Sequence, residues 1–283
     1  MINKKFILNA DDFGLTKENN QAVLEGYNNG FLTSASICAN GEAYDNAVHD
    51  IIPDCPNLGL AVHLNIMEGK ALTDCGLLTD KNGYFNKGYG YLITNKNNKD
   101  LLKQIDTEFR AQTDKVLSDV KIDHIDSHVH THAIPTIFEL TCAMAKEYGI
   151  KYIRTQYEEP YVIPKIKKHL TIKYPINLIK IGLLQYYTKI NRTTIDKYAL
   201  KTNDFIIGVG YTGMMDSDAI EYGLKELNEE CIAEALIHPK KYSNSTKDSH
   251  TKEFSITQNM TLKDTITRLG FDIVNYKTLN LNE

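Results

Sequence analysis

The chain has 283 residues, 42% hydrophobic and 24% charged, with a formal net charge of -4 and a sequence pI of about 6.2. That length suits a single (β/α) barrel able to bury roughly three quarters of its unfolded surface without staples, and the acidic balance argues against a nucleic-acid binder. The five scattered cysteines (Cys38, Cys55, Cys75, Cys142, Cys231) form no CxxC pair, which argues against a disulfide framework or a zinc ribbon and for free thiols in a reducing compartment.

The opening residues, MINKKFILNADD, set two bases before a short apolar run that meets two aspartates. That is not the pattern of a signal peptide, and no uncharged run of about 18 apolar residues occurs, so the expectation is a cytoplasmic protein without a membrane span. KFILNA reads as the first strand. Thr16 caps a helix carrying Ala22, Val23 and Tyr27, which Gly30 stops. TSASICA is a second strand, EAYDNAVHDII its helix, ended by Pro53, and LGLAVHLNI a third strand apolar enough to be covered on both faces. From Glu68 to Asn98 the pattern dissolves into glycine, asparagine and tyrosine, which predicts a long functional or mobile loop.

Asp100 to Leu117 is helical by spacing, KIDHIDS the next strand, IPTIFELTCAMAKEYG a helix closed by Gly149, and KYIRT a short strand. Tyr161 to Ile190 alternates lysine with apolar residues and predicts one or two outer helices. Its lysines (Lys165, Lys167, Lys168, Lys173) read most simply as a solvated face. DFIIGV is a strand, Asp216 to Leu227 a helix, CIAEALIH a strand, Tyr242 to Glu253 a polar loop, and Thr261 to Leu269 a last helix before FDIVNY. Seven or so strands alternating with helices, without a linker, predict an α/β fold: an irregular TIM-like (β/α) barrel in one domain over residues 1–283.

Four of these strands run into a carboxylate or an imidazole: Asp11 and Asp12, His63, His128 with His130 and His132, and His238. In a parallel α/β barrel the carboxyl ends of the strands surround one mouth. Adjacent carboxylates on a continuing strand point to opposite faces, so a turn at Gly14 is needed to bring both Asp11 and Asp12 to it. The alternative for the pair is a helix cap and a loop charge. For His63 it is a hydrogen-bonded core histidine, and for His238 a structural strand end. In a continuing strand His128, His130 and His132 would share one face, the first nearest the mouth, with His124 facing the same side as Asp126 deeper in the barrel. Two imidazoles and one carboxylate form a common facial site for a divalent cation, and Asp12, His63 and His128 are the candidate ligands. Asp11 is then placed to accept a proton from water, and His238 to donate one to a leaving nitrogen.

The order NADDFGLT, TSASICANG, GLAVHLN followed by Glu68-Gly69, DSHVHTH and IHP resembles the YdjC-type carbohydrate deacetylase family, which includes the chitooligosaccharide deacetylases, from about Asn9 to Pro239. The resemblance implies an irregular TIM-like barrel that removes acetyl groups from N-acetylated sugars. It implies Asp11 as proton acceptor, Asp12, His63 and His128 as ligands of one divalent metal, and His238 as the acid. Magnesium is the ion it brings, while an Asp-His-His set suits zinc at least as well by softness. Substrate-binding candidates are Glu68, His130, Arg154 and Tyr84. Arg154 would act as a clamp on sugar hydroxyls, or else pair with Glu158 at the surface. Tyr84, with Phe85, Tyr89 and Tyr91, would stack on a sugar ring, or else pack the loop. The expected partner is an N-acetylated sugar or oligosaccharide, with no nucleic acid or membrane and with room for a homo-oligomer. A phosphoesterase or amidohydrolase on the same site, or a sugar-binding barrel without catalysis, are the rival readings.

Overall fold

A computed structural model describes residues 3–164, 173–244 and 248–281. Every strand pairing is parallel. β1 (Lys4–Phe13) is followed by α1 (Lys17–Asn28), β2 (Ser34–Ile37), α2 (Tyr44–Asn46), β3 (Gly59–Leu64), α3 (Tyr89–Thr94), α4 (Lys99–Asp119), β4 (His124–Ser127), α5 (Pro135–Glu147) and β5 (Tyr152–Ile153). Then come α6 (Lys173–Tyr198), β6 (Phe205–Ile207), α7 (Ser217–Lys225), β7 (Cys231–Ile237), α8 (Ser249–Thr257), α9 (Met260–Arg268), β8 (Phe271–Ile273) and α10 (Tyr276–Leu281). The sheet runs β5-β4-β3-β2-β1-β7-β6, and β8 joins β1 along Lys4–Phe6, below the stretch where β2 pairs with it.

This sheet curls into an irregular α/β barrel in which β1 is central and buried from Phe6 to Phe13. Its two outer strands meet without a regular ladder. Ile153 N–H donates to Lys201 O at 2.9 Å and Ile206 N–H to Tyr157 O at 2.8 Å. Between them the Asn203 side-chain amide stands in for backbone, accepting from Thr155 N at 2.8 Å and donating to Thr155 O at 3.0 Å.

Alternation along β1 divides its residues between two clusters. Phe6, Leu8 and Ala10 belong to the large core, whereas Ile7 packs with Tyr152, Tyr276 and Leu279. The helices cover the sheet by ordinary amphipathic logic. α4, capped by Asn98, buries Leu101, Ile105, Phe109 and Val116, each large apolar side chain contributing about 1.5–3 kcal/mol. α1 is capped by Thr16, as its sequence predicts, with Asn19 N–H donating to the hydroxyl.

The structure departs from the sequence reading in several elements. The span from Glu68 to Asn98 is ordered by antiparallel bridges Lys70↔Tyr84 and Thr79↔Phe85 and by α3, with Cys75, Leu78, Phe85 and Leu92 buried. Alternating polar residues hid these anchors. The EAYDNAVHDII helix is α-helical only at Tyr44–Asn46 and continues as a π turn at Ala47–Ile51. The expected polar loop over Tyr242 to Glu253 turns helical at Ser249, where the Asp248 carboxylate caps α8 by accepting from Thr251 N. The helix read within Tyr161 to Ile190 is α6, and α10 follows β8 unforeseen. Lys165, Lys167 and Lys168 lie outside the described residues. All five cysteines are free and buried.

Candidate metal centre

The pairing of β1 with β2 shifts register between Ala10 and Phe13, and Asp12 takes a left-handed conformation with φ 67°. Aspartate tolerates that region better than most residues. The turn that brings both carboxylates to one mouth therefore begins at Asp12 itself, two residues before Gly14. Asp12 Oδ1 accepts from His128 Nδ1 at 2.8 Å and lies 3.6 Å from His63 Nε2. One ligand atom from each of Asp12, His63 and His128 falls within 4.8 Å of the others, and no ion is present.

His63 reaches this point because β3 carries it on the inner face. Its register partner on β4 is Asp126, so the two side chains share a face, and His63 Nδ1 lies 2.7 Å from Asp126 Oδ1. With Nδ1–H donated to that carboxylate, Nε2 is left as a lone-pair donor facing Asp12, the arrangement that commonly orients a metal-binding imidazole. Burial opposes the charged form of His63, and the Asp126, Asp11 and Asp12 carboxylates outweigh it and raise its pKa. Burial likewise pushes the Asp12 carboxyl up, but the hydrogen bond and charge of His128, with His238 and His63, hold it well below the carboxylate range.

After His128 the chain does not continue as a strand. Val129 (φ 54°) and His130 (φ 57°) are both left-handed, so the three imidazoles do not share a face. His130 is buried with Nδ1 lacking a partner, its pKa held down by burial and by the charges of Lys180 and Arg154. His132 turns into the core, bonding the Ser127 hydroxyl and, through Nε2, the Arg154 carbonyl at 2.8 Å. His124 is buried on Tyr276.

Arg154 is fully buried and is presented neither to solvent nor to Glu158. Its guanidinium forks onto Asp11 (Nη1–Oδ2 2.9 Å, Nη2–Oδ1 2.8 Å) and also meets Asp126 at 2.7 Å and Glu234 at 2.5 Å. The sugar-clamp expectation is thereby corrected: three carboxylates engage its terminal nitrogens inside the barrel. Glu158 instead accepts from Gly208 N (2.8 Å) and Gly210 N (2.7 Å), while burial pushes its carboxyl up to about 7. Asn9 also donates to Asp11 at 2.7 Å. Burial raises the Asp11 pKa, but Arg154, His63 and His238 outweigh it, and the carboxyl is held far below its usual range. A second group of possible ligands, Asp11, His63 and Asp126, also lies within 4.8 Å. Its oxygens are committed to Arg154, Asn9 and Ser36.

His238, at the end of β7, stands with Nδ1 3.4 Å from Glu253 of α8, leaving Nε2 for the mouth. Burial works against its charge, while Glu253, Asp12 and Asp11 raise its pKa from 6.5 to about 9. Glu68 lies 3.9 Å from His128 Nε2 and is half exposed. Asn65 fixes its backbone, accepting from Glu68 N and donating to Glu68 O. Tyr84 is half exposed on the outer bridge, and the loop tyrosine that reaches the site turn is Tyr89, through the His130 carbonyl at 3.4 Å.

The residues missed by sequence reasoning are Asp126, Glu234 and Glu253. The first two were legible as acids at inward positions of apolar strands, and the third lies on the buried face of α8, a segment taken as loop.

A family model described as YdjC-like protein matches residues 5–268. The chain is 36% identical over 148 residues to a carbohydrate deacetylase of Brevibacillus brevis, covering 52% of this chain and 57% of that protein. It is 35% identical over 146 residues to a chitooligosaccharide deacetylase of Escherichia fergusonii, covering 51% and 56%. The matched stretch thus spans less than two thirds of each relative's length. Among solved structures, a candidate cellobiose-phosphate cleavage protein of Enterococcus faecalis V583 superposes with a TM-score of 0.75 at 22% identity, covering 98% of this chain and 99% of that one. That likeness establishes the fold.

Proposed function

The chain belongs to the YdjC-like protein family, and from that premise we propose that it is a metal-dependent hydrolase releasing acetate from an N-acetylated sugar or oligosaccharide. The observation that carries this reading is the convergence of Asp12, His63 and His128 from three separate strand ends, with Asp11 and His238 beside them. The donor set fits a divalent cation: one carboxylate oxygen and two ring nitrogens, with the His63 tautomer set from behind by Asp126. Magnesium and zinc are both candidates, zinc being favoured by the two imidazoles.

When bound there, the cation supplies Lewis acidity to the acetamide carbonyl and lowers the pKa of water. The chain's own groups handle the protons. Asp11, held charged by Arg154, is in the state a proton acceptor needs and takes the proton of the attacking water. The water oxygen adds to the carbonyl carbon. His238, charged at neutral pH, gives its Nε2 proton to the nitrogen as the C–N bond breaks, leaving acetate and a free amine. Glu68 and His130 are proposed to line the sugar site.

Acetate release from diacetylchitobiose, assayed with magnesium or zinc added to protein freed of metal, tests the reading. Activity restored by one of these ions supports it. A folded protein that binds the ion yet releases no acetate from any acetamido sugar, while cleaving a phosphate ester, would overturn it.

A further inference from the structure

At the end of the barrel opposite the mouth, where β3, β4 and β5 begin, lies a cavity of about 490 Å³. That volume is in the range that holds a small ligand. Its walls are apolar. Leu58 and Leu60 come from the start of β3, Val120 and Ile122 from the turn after α4, and Ile150 from the turn after α5. Leu58, Leu60 and Ile150 are buried, while Val120 and Ile122 are half-buried and present apolar surface to the opening. No residue proposed for catalysis lines it.

The charges in the lining say what the cavity would take. Lys121, Lys151 and Lys277 all line it and all are exposed. Lys277 Nζ donates to Pro56 O at 3.1 Å, and Lys121 and Lys151 have no ion-pair partner among the described residues. One acid, Asp123, shares the lining, and both its oxygens are engaged: Oδ2 by Leu60 N at 3.0 Å and Oδ1 by His124 Nδ1 at 2.6 Å. Cys55 adds no charge, because burial and the neighbouring Asp54 push its thiol up to about 11. Asp54 itself is exposed and outside the lining. The carbonyl ends of α4 and α5 also reach the cavity, at Val120 and Gly149, each carrying about half a negative charge. They and Asp123 offset two of the three lysines, which leaves about one positive charge unanswered. Apolar walls with one surplus cation at the rim complement an apolar body with a single negative head.

We propose that this cavity binds an amphipathic monoanion, a linear carboxylate of about eight to ten carbons, with its chain against Leu58, Leu60, Val120, Ile122 and Ile150 and its head paired with Lys121 and Lys151. The site is separate from the hydrolytic reading and does not depend on it. It does touch the strands that carry that chemistry. Leu60 and Asp123, bonded to each other in the lining, stand three residues before His63 and Asp126, the register partners of β3 and β4.

Calorimetric titration of the full chain with sodium octanoate and sodium decanoate tests the inference, with octanol and octylammonium as the neutral and cationic controls. Decanoate is expected to bind more tightly than octanoate, by roughly two- to fourfold for each added methylene. Octanoate should bind more tightly than either control, and less so as salt rises. Lys121→Gln/Lys151→Gln should weaken decanoate binding about fivefold and leave octanol unchanged. Val120→Trp, which fills the cavity, should remove decanoate binding. Both lysines are exposed, so circular dichroism and melting of the double variant should match the wild type. Four results would overturn the proposal: no binding of decanoate at millimolar concentration, octylammonium bound as tightly as octanoate, decanoate binding that Lys121→Gln/Lys151→Gln leaves unchanged, or a ligand-free dimer in sedimentation that Val120→Trp dissociates.

Discussion

His63 Nδ1 and Asp126 Oδ1 sit 2.7 Å apart as register partners across β3 and β4, and this contact decides which nitrogen of the imidazole faces Asp12. Replacing Asp126 by asparagine keeps the size but removes the charge that orients the ring. Metal affinity should fall about 10–100-fold, read by chelator competition. Unchanged affinity would mean that Asp126 serves only Arg154 and the core.

Asp11→Asn should lower turnover on an acetamido sugar by roughly 10²–10⁴ while metal content stays normal. A variant that keeps wild-type turnover removes Asp11 from the role of proton acceptor. One that loses its metal instead would place Asp11 among the ligands.

His238 carries a raised pKa of about 9 because Glu253, Asp12 and Asp11 face it. If its protonated form donates to the leaving nitrogen, turnover is steady near neutrality and falls as pH rises through about 9. Glu253→Gln should move that descending limb toward the unperturbed value. The same sign governs stability: the folded pKa exceeds the ordinary 6.5, so the His238 contribution is complete below about 6.5 and is lost as pH rises through about 9. A turnover profile that is flat across that window would remove the acid role.

Arg154 binds Asp11, Asp126 and Glu234 together inside the barrel. Arg154→Met would remove the one guanidinium that three buried carboxylates share, and the expected loss is about 3–5 kcal/mol of folding stability, measured by urea unfolding. Arg154→Lys keeps the charge but not the fork, so its loss should be smaller. Equal stability of Arg154→Met and wild type would show that the carboxylates take up protons at little cost.

Much of this arrangement was legible in the chain. NADD, GLAVH, DSH and ALIH each announce a strand that ends in chemistry, because an apolar run terminated by an ionisable residue has few other uses. What stayed hidden depends on register and on backbone twists that no residue type announces. Asp126 meets His63 only because β3 and β4 pair as they do. Glu234 sits within an apolar strand, β7, yet its countercharge, Arg154, comes from the end of β5, five places along the sheet. HVHTH reads as alternation until Val129 and His130 turn left-handed, a conformation that a β-branched valine rarely adopts. Arg154 next to a nearby glutamate suggested a surface pair, whereas the fold buries both and gives each a different partner.

Where the outer strands meet, one asparagine side chain does what several backbone pairs do elsewhere in the wall. A closure of scattered backbone bonds around one side-chain amide breathes more readily than the seven-residue ladder of β1 with β7. In deuterated solvent the amides of Ile153, Thr155 and Ile206 should therefore exchange well before those of Phe6 to Ala10. The barrel has a zip, and Asn203 is its catch.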